Sequence, residues 1–406
     1  MEEKPTLKRT LSLPYITFYG LGTIIGAGIY VLVGEVAGKA GLFAPLSFLL
    51  ASIIAFFTAV SFAELSARAP KSAGQALYVE IAFRRKSLSF ITGMLVVFVV
   101  ITSSATLANG FAWYFRLFIP APLWLIIIFT VLSAGLLASW GIKESVAVAA
   151  VATVIEIMGL LIIIFVSGDS LTTLPERLPE LIPDFVYENV AGIFMGCFLA
   201  FFAFIGFEDI VNVAEEVKAP QRNLPLGIFL SLGLSSLLYI LVSLTAVLSL
   251  PLSELAGNAT PLTLIYEKNT GRSPELITII SLFAVMNGVL VQVIVASRIL
   301  YGLSSQGYLP KAFGRVNKQR RTPLFSTAVV VLTVLVLALW LPLVVLAQIS
   351  SFVVLIVYSM VNLSLVRIKR RNPDPEGVKV YPLAIPVTGF ILCTGMIILK
   401  AIGTFI

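Results

Sequence analysis

Gly20-Leu21-Gly22-Thr23-Ile24-Ile25-Gly26-Ala27-Gly28-Ile29-Tyr30 places four glycines within nine residues, inside a long apolar stretch. A helix facing lipid does not tolerate that pattern, because each unsatisfied backbone group in hydrocarbon costs several kcal/mol. Broken backbone at membrane depth survives only where protein encloses it or where it lines a cavity. A second apolar stretch carries a similar interruption, Ala203-Phe204-Ile205-Gly206-Phe207. The two together read as interrupted membrane helices facing one enclosed site. Taken alone, the first could also be a packing motif, since small residues let membrane helices approach closely.

Working outward, the composition fixes the class. Hydrophobic residues form 58% of the 406 and charged residues 12%, against roughly 25% charged in soluble domains. Most apolar runs exceed the ~20 residues that cross a bilayer as a helix, so barrel strands of about ten alternating residues are excluded. Eleven transmembrane helices are expected, at 13–38, 42–67, 89–117, 122–141, 145–168, 189–216, 224–250, 274–304, 323–341, 343–366 and 382–401. Leu341-Pro342 is read as a tight turn between the ninth and tenth. No small-residue cleavage site follows the first residues, so the first span is expected to stay in the mature chain.

Charge placement sets the orientation. With the N-terminus in the cytoplasm, 22 of the 28 Lys and Arg lie inside, and only Lys39, Arg116, Arg177, Lys268, Arg272 and Lys400 lie outside. That asymmetry follows the positive-inside rule and also accounts for the net charge of +7, so nucleic acid is not an expected partner. Eleven spans put the C-terminus outside, in a multi-pass protein of the cell membrane. The interrupted spans are the first and sixth. An odd offset of five gives two five-helix units opposite orientations, the arrangement in which paired broken helices meet at a midplane site. One transmembrane domain (1–406) is expected, with repeats at 1–168 and 189–366 and an extra helix at 382–401.

Several chemistries are unsupported. There is no histidine, and Cys197 and Cys393 both sit in apolar spans, where they read as packing residues. No metal-ligand spacing, cofactor motif or nucleophile–base pair is visible, so an enzyme is not expected. Gly20, Gly22 and Gly26 do not form GxGxxG and follow no strand, which rejects a nucleotide loop.

At these residues the chain resembles the amino acid–polyamine–organocation superfamily. The matching segments are Gly-Thr-Ile-Ile-Gly-Ala-Gly-Ile-Tyr (22–30), Phe-Phe-Ala-Phe-Ile-Gly-Phe-Glu (201–208) and Glu-Glu-Val-Lys-Ala-Pro-Gln-Arg-Asn-Leu-Pro (215–225). Ala-Glu-Leu-Ser-Ala-Arg-Ala-Pro-Lys-Ser-Ala-Gly (63–74) and Ser-Arg-Ile-Leu-Tyr-Gly-Leu-Ser-Ser-Gln-Gly-Tyr-Leu-Pro (297–310) extend the match. The resemblance implies an all-α, LeuT-like fold of five plus five inverted helices with one more. Many relatives carry a twelfth span, whereas eleven are expected here. It also implies that Phe207 gates the bound substrate.

An amino acid has two charged ends, and broken helices suit both. Free N–H groups of a half-helix N-terminus face a carboxylate, a role expected of Ile25, Gly26, Ala27, Gly28 and Ile29. Carbonyls of Ala203, Phe204, Ile205 and Gly206 would take the ammonium. Phe204, Phe207 and Ile29 offer no charge to a substrate side chain, which leans towards neutral amino acids. Glu156, central in the fifth span, is the sharpest single residue, because a charge there costs roughly 2.5–3.5 kcal/mol. It is a candidate for proton coupling, with a permanently neutral structural carboxyl as the alternative. Several proton-coupled relatives have a lysine at about that place, so their lysine mechanism does not transfer.

Glu208 is a second coupling candidate. It and Asp209 lie about 100° apart on a helix, so at most one is expected to face the cavity. Asn287, Gln292 and Ser297 are expected to bond between helices, and Glu64 with Arg68 to pair at the inner end of the second span. The basic loop 306–323 is expected to meet anionic membrane lipids. The leading expectation is a secondary transporter moving amino acids by alternating access, proton-coupled or by exchange. A polyamine or organic-cation carrier is the alternative, and a channel or membrane sensor the alternative of a different class.

Overall fold

The computed structural model describes residues 9–25, 28–71, 74–140, 145–184, 186–317, 320 and 322–403. Helix occupies each of the eleven stretches expected to cross the membrane. The first holds two helices, α1 (Leu13–Ile25) and α2 (Gly28–Ala40). Then come α3 (Ala44–Arg68), the short α4 (Gly74–Phe83), α5 (Lys86–Arg116), α6 (Leu123–Trp140) and α7 (Ser145–Val166). Two brief helices, α8 (Gly168–Thr172) and α9 (Leu174–Arg177), lead to α10 (Tyr187–Ala200), which runs into the second interruption. α11 (Pro220–Ser249), α12 (Leu252–Leu255) and α13 (Pro261–Thr270) follow. The described chain closes with α14 (Glu275–Ser305), α15 (Leu324–Trp340), α16 (Leu343–Arg371) and α17 (Ala384–Gly403).

Among the described residues, seven helical stretches are long and apolar enough to cross a membrane by length and composition, and four apolar helices are shorter. The only bridge of β type described joins Leu11 to Val217. The chain is an all-α membrane protein. Leu341 and Pro342 are both extended, at φ/ψ −113/138 and −63/150, so α15 and α16 are separate helices rather than one kinked helix. Proline removes the N–H that a continuous helix needs and turns its predecessor away from helical geometry.

The interrupted helices lie against each other. α2 packs on α10, and α1 packs on the segment beyond the second interruption. Around them, α3 lies along α11 and α5 along α14. Exchanging each span for the one five places away converts the α1–α11 contact into α10–α3, α1–α7 into α10–α16, and α5–α16 into α14–α7, all of which are present.

The basic end is tied by polar contacts. Thr10 and Leu11 donate their backbone N–H groups to the Glu216 carbonyl at 2.9 and 3.0 Å, and Lys218 N–H donates to the Leu11 carbonyl at 2.9 Å. Glu64, expected to pair with Arg68, does so at 2.6 Å, and Lys369 of α16 joins it at 2.8 Å. Tyr381 N–H adds a third donor to the same carboxylate at 3.0 Å. A fully buried carboxylate is thereby supplied with two cations and a backbone donor, the condition for burying charge without a large penalty.

α17 binds through one stripe, Pro386, Gly389, Cys393 and Met396, spaced as a narrow apolar seam. Beneath it, Ser61 donates to Asn362 Oδ1 at 2.6 Å and Asn362 Nδ2 donates to Thr58 Oγ1 at 3.0 Å. Gly389 admits this knot, because a Cβ there would stand 2.8 Å from Asn362 Oδ1. Gly389→Ala is therefore expected to cost about 1–3 kcal/mol, read as a lower thermal unfolding midpoint in detergent. An unchanged midpoint would mean that α17 shifts without consequence.

Candidate functional site

The second interruption is set by Gly206. After α10 the chain makes a 3-10 turn at Phe201–Phe204, extends at Ile205 (φ −65, ψ 128) and reaches φ +130 at Gly206. That backbone is close to glycine-only. The position is also closed to a Cβ, which would meet the Thr23 carbonyl carbon at 2.7 Å. A ten-residue 3-10 run, Phe207–Glu216, follows. Such runs rarely exceed three or four residues and mark strain or a hinge. The first expected interruption falls at Gly26 and Ala27, both expected at the site, which lie outside the described residues; α1 is described to Ile25 and α2 from Gly28. Gly28 brings the two interruptions together: a Cβ on it would stand 2.5 Å from Ala203 Cα.

The freed backbone groups find partners. Glu208 Oε2 accepts from Gly206 N–H at 2.9 Å, so the carboxylate turns back to cap the broken end. The Thr23 hydroxyl lies 2.9 Å from both the Gly206 and the Gly20 carbonyls. Tyr239 of α11 points its hydroxyl at both interruptions, 2.7 Å from the Ile24 carbonyl and 3.1 Å from that of Ala203. It carries one proton, so it donates to one carbonyl at a time. Tyr239 was not among the residues expected from sequence. A lone tyrosine in an apolar span, whose hydroxyl needs a partner, was the available signal.

Two small cavities flank Ile205 and Gln292. The first, of about 20 Å³, is bordered by Thr23, Ile24, Gly28, Ser103, Phe202 and Gly288, among others. The second, of about 10 Å³, is bordered by Gln75, Glu208 and Asp209 together with valines. Both acids therefore border it, whereas helical spacing predicts that at most one faces a cavity; the segment is 3-10, and Glu208 has folded back onto Gly206. Each cavity holds about one water, far below the several hundred Å³ of a ligand pocket. The site is closed.

Of the expected residues, Gly28 and Ile205 border the first cavity, while Ile25, Ile29, Ala203, Phe204 and Phe207 are packed in the core around it. Phe204 sits edge-on to Tyr239 at 5.2 Å. Phe207 is enclosed by Phe62 at 5.6 Å and Tyr358 at 5.4 Å. Gln292 Oε1 and Ser103 Oγ at the first cavity are buried without a partner among the described residues.

Glu156 is fully buried beside, not in, these cavities. Asn287 of α14 donates to its Oε1 at 3.0 Å, the interhelical bond expected of that residue. Its Oε2 has no partner among the described residues. The Tyr30 hydroxyl donates to the Glu156 backbone carbonyl at 2.5 Å, and the Tyr114 hydroxyl to the Tyr30 carbonyl at 2.7 Å. The first bond holds α7 against α2 and the second holds α5 against α2, while one turn earlier on α7 Thr153 meets Gly22 of α1. Ser297, by contrast, bonds within its own helix, to Ile294.

The structure defines an all-helical membrane bundle in which the segments around Gly206 pack against α1 and α2. The chain belongs to the amino acid permease family, whose model matches residues 11–405. It is 32% identical over 396 residues to a vacuolar cationic amino acid transporter of Arabidopsis thaliana, covering 91% of this chain and 61% of that protein. It is 27% identical over 418 residues to the branched-chain amino acid permease BcaP of Bacillus subtilis, covering 97% and 88%. A methylthioribose transporter of the same bacterium is 26% identical over 392 residues, covering 91% and 83%. The chain thus spans less than two thirds of the plant relative and most of the bacterial ones. Its relatives are transporters and permeases, not enzymes.

Tyr239→Phe leaves two buried carbonyls at the interruptions without their shared donor. The expected cost is about 1–3 kcal/mol, measured as a lower unfolding midpoint in detergent. Equal midpoints for variant and wild type would remove Tyr239 as the staple.

Proposed function

We propose that this chain is a secondary transporter that moves neutral amino acids by alternating access, with Glu156 as the proton-coupling group. The observation that carries this reading is the joining of two interruptions at Gly28, Ala203 and Gly206 beside a closed cavity. Backbone polar groups of broken helices serve both ends of an amino acid. The five-place exchange of helix contacts supports two inverted repeats, 1–168 and 189–366. The 22-to-6 split of basic residues supports a cytoplasmic basic end, placing the C-terminus outside, in the cell membrane.

Among the described residues no charged side chain borders the first cavity, where Thr23, Ser103 and Gln292 are the polar side chains. That favours a neutral substrate, in keeping with the name of the branched-chain relative. A second reading has its own observation: Glu208 and Asp209 border the next cavity, past Ile205 and Gln292. A cationic side chain, as named in the plant relative, or a polyamine would reach them if those two residues parted. In either reading an amino acid enters only when the cavity widens, and Ile205 and Gln292 are the side chains that must separate.

Glu156 suits coupling because no Lys or Arg among the described residues pairs with it and one carboxyl oxygen is uncommitted. A charge there is uncompensated, so the proton-bearing form matches the packed state. Asn287 connects the carboxyl to α14, and Tyr30 ties the Glu156 backbone carbonyl to α2, two helices that border the first cavity.

In proteoliposomes under an inwardly directed proton gradient, labelled leucine is expected to accumulate saturably, and arginine and putrescine are not. Accumulation of arginine without leucine selects the cationic reading, and a requirement for sodium sinks the proton coupling. Glu156→Gln is expected to reduce gradient-driven accumulation at least about tenfold while leucine–leucine exchange continues. Retention of the wild-type response to the gradient would reject Glu156 as the coupling group.

A further inference from the structure

A third cavity lies away from the interrupted helices. It encloses about 390 Å³ at the basic end and shares no bordering residue with the other two. Its walls come from the ends of α3, α4 and α16 and from the start of α11. Among the described residues charge around it is one-sided: Arg68, Arg84 and Arg371 border it against one acid, Glu376.

The donors there are unequally committed. Arg68 is spent on Glu64 and the Asn372 carbonyl. Arg371 gives Nη1 to the Ala82 carbonyl at 2.9 Å, and its other N–H groups bond to no described residue. The Arg84 side chain has no hydrogen bond or ion pair among the described residues. Its backbone nevertheless stands at φ +56, a left-handed conformation unfavourable to any residue with a Cβ. Tyr78 is fully buried at the same cavity, and its hydroxyl also lacks a described partner. A buried hydroxyl without a partner is a group that a bound ligand would satisfy.

We propose that this cavity binds a phosphate-bearing anion, held by Arg84, Arg371 and the Tyr78 hydroxyl. Two guanidinium forks and a hydroxyl supply more donors than the two oxygens of a carboxylate need, and guanidinium geometry matches phosphate oxygens. Leu65, Ile81, Ile368 and Val378 line the rest, so an apolar attachment to the phosphate is accommodated. The phosphate group comes either from an anionic phospholipid headgroup at the membrane surface or from a soluble phosphate. The site also touches the closed core. The Tyr78 ring lies edge-on to Phe62 at 6.3 Å, and Phe62 edge-on to Phe207 at 5.6 Å. A ligand on Tyr78 is thus two rings from the second interruption.

The test uses the full chain purified in uncharged detergent and its thermal unfolding midpoint, since a ligand selective for the folded state raises it. One arm adds inorganic phosphate at constant ionic strength, and the other adds short-chain phosphatidylglycerol, with phosphatidylcholine as its control. A saturable rise with at least one of the two anions is expected. A rise with phosphatidylglycerol alone assigns the headgroup as source, and a rise with inorganic phosphate shows that the free anion suffices. Arg84→Gly removes the charge at a backbone position that suits glycine, so folding is retained, and apparent affinity is expected to fall at least about tenfold. Arg84→Lys is expected to recover part of it. The proposal is overturned if neither anion moves the midpoint, if phosphatidylcholine matches phosphatidylglycerol, or if Arg84→Gly binds as tightly as wild type.

Discussion

In hydrocarbon every backbone N–H and C=O must be satisfied by the protein itself, and this constraint organises the whole molecule. One apolar stretch is visibly broken, at Gly206. The groups around this break are met by Thr23, Tyr239 and the Glu208 carboxylate. Each partner comes from a residue that would otherwise be a liability in a membrane: a hydroxyl, a phenol, an acid. The polar residues of the core follow the backbone they serve.

Closeness follows from the same constraint. Broken segments can share donors only if their backbones nearly touch. Gly28 and Gly206 allow this, one against the Ala203 backbone and the other against the Thr23 carbonyl. Larger side chains at either place would separate the interruptions and withdraw the shared partners, so close approach and polar satisfaction are one requirement. The outer helices then enclose this pair, with α3, α5, α7, α11 and α14 arranged by contacts that repeat five spans apart.

What the sequence discloses and what it hides divide along chain distance. The second break is signalled locally by Gly206 inside an apolar run, while the glycines of the first stretch alone fit a packing motif as well. The separate helices on either side of Leu341-Pro342 are local too. The family motif 22–30 includes Tyr30, but nothing nearby shows that its hydroxyl meets the Glu156 carbonyl, 126 residues away. Tyr239 reaches Ile24 across 215 residues, and Lys369 reaches Glu64 across 305. Composition also misleads on geometry at Glu208 and Asp209: helical spacing separates them, while the 3-10 backbone lets both border one cavity. Residue types therefore announce that a site exists, and long-range partners decide its shape.

The closed state carries a cost that bears on how such a site would work. Ser103 Oγ and Gln292 Oε1 border the first cavity and are buried without a partner among the described residues, as is Glu156 Oε2. A buried polar atom left unpaired costs roughly 1–3 kcal/mol, and these atoms gather around the interruptions. Widening the cavity lets solvent reach the atoms that border it, and a bound polar ligand can satisfy them with the cavity closed. The penalty therefore falls on the empty closed form more than on the open or loaded forms. A ligand shifts a conformational equilibrium only through its different affinities for the two states, and unpaired atoms beside a collapsible cavity supply such a difference. Against this stand the contacts that hold the basic end shut, Glu64 with Lys369 and Leu11 with the backbone at Glu216 and Lys218. Contacts at one end and unmet hydrogen bonds among the described residues at the centre thus act in opposite directions on the packed form.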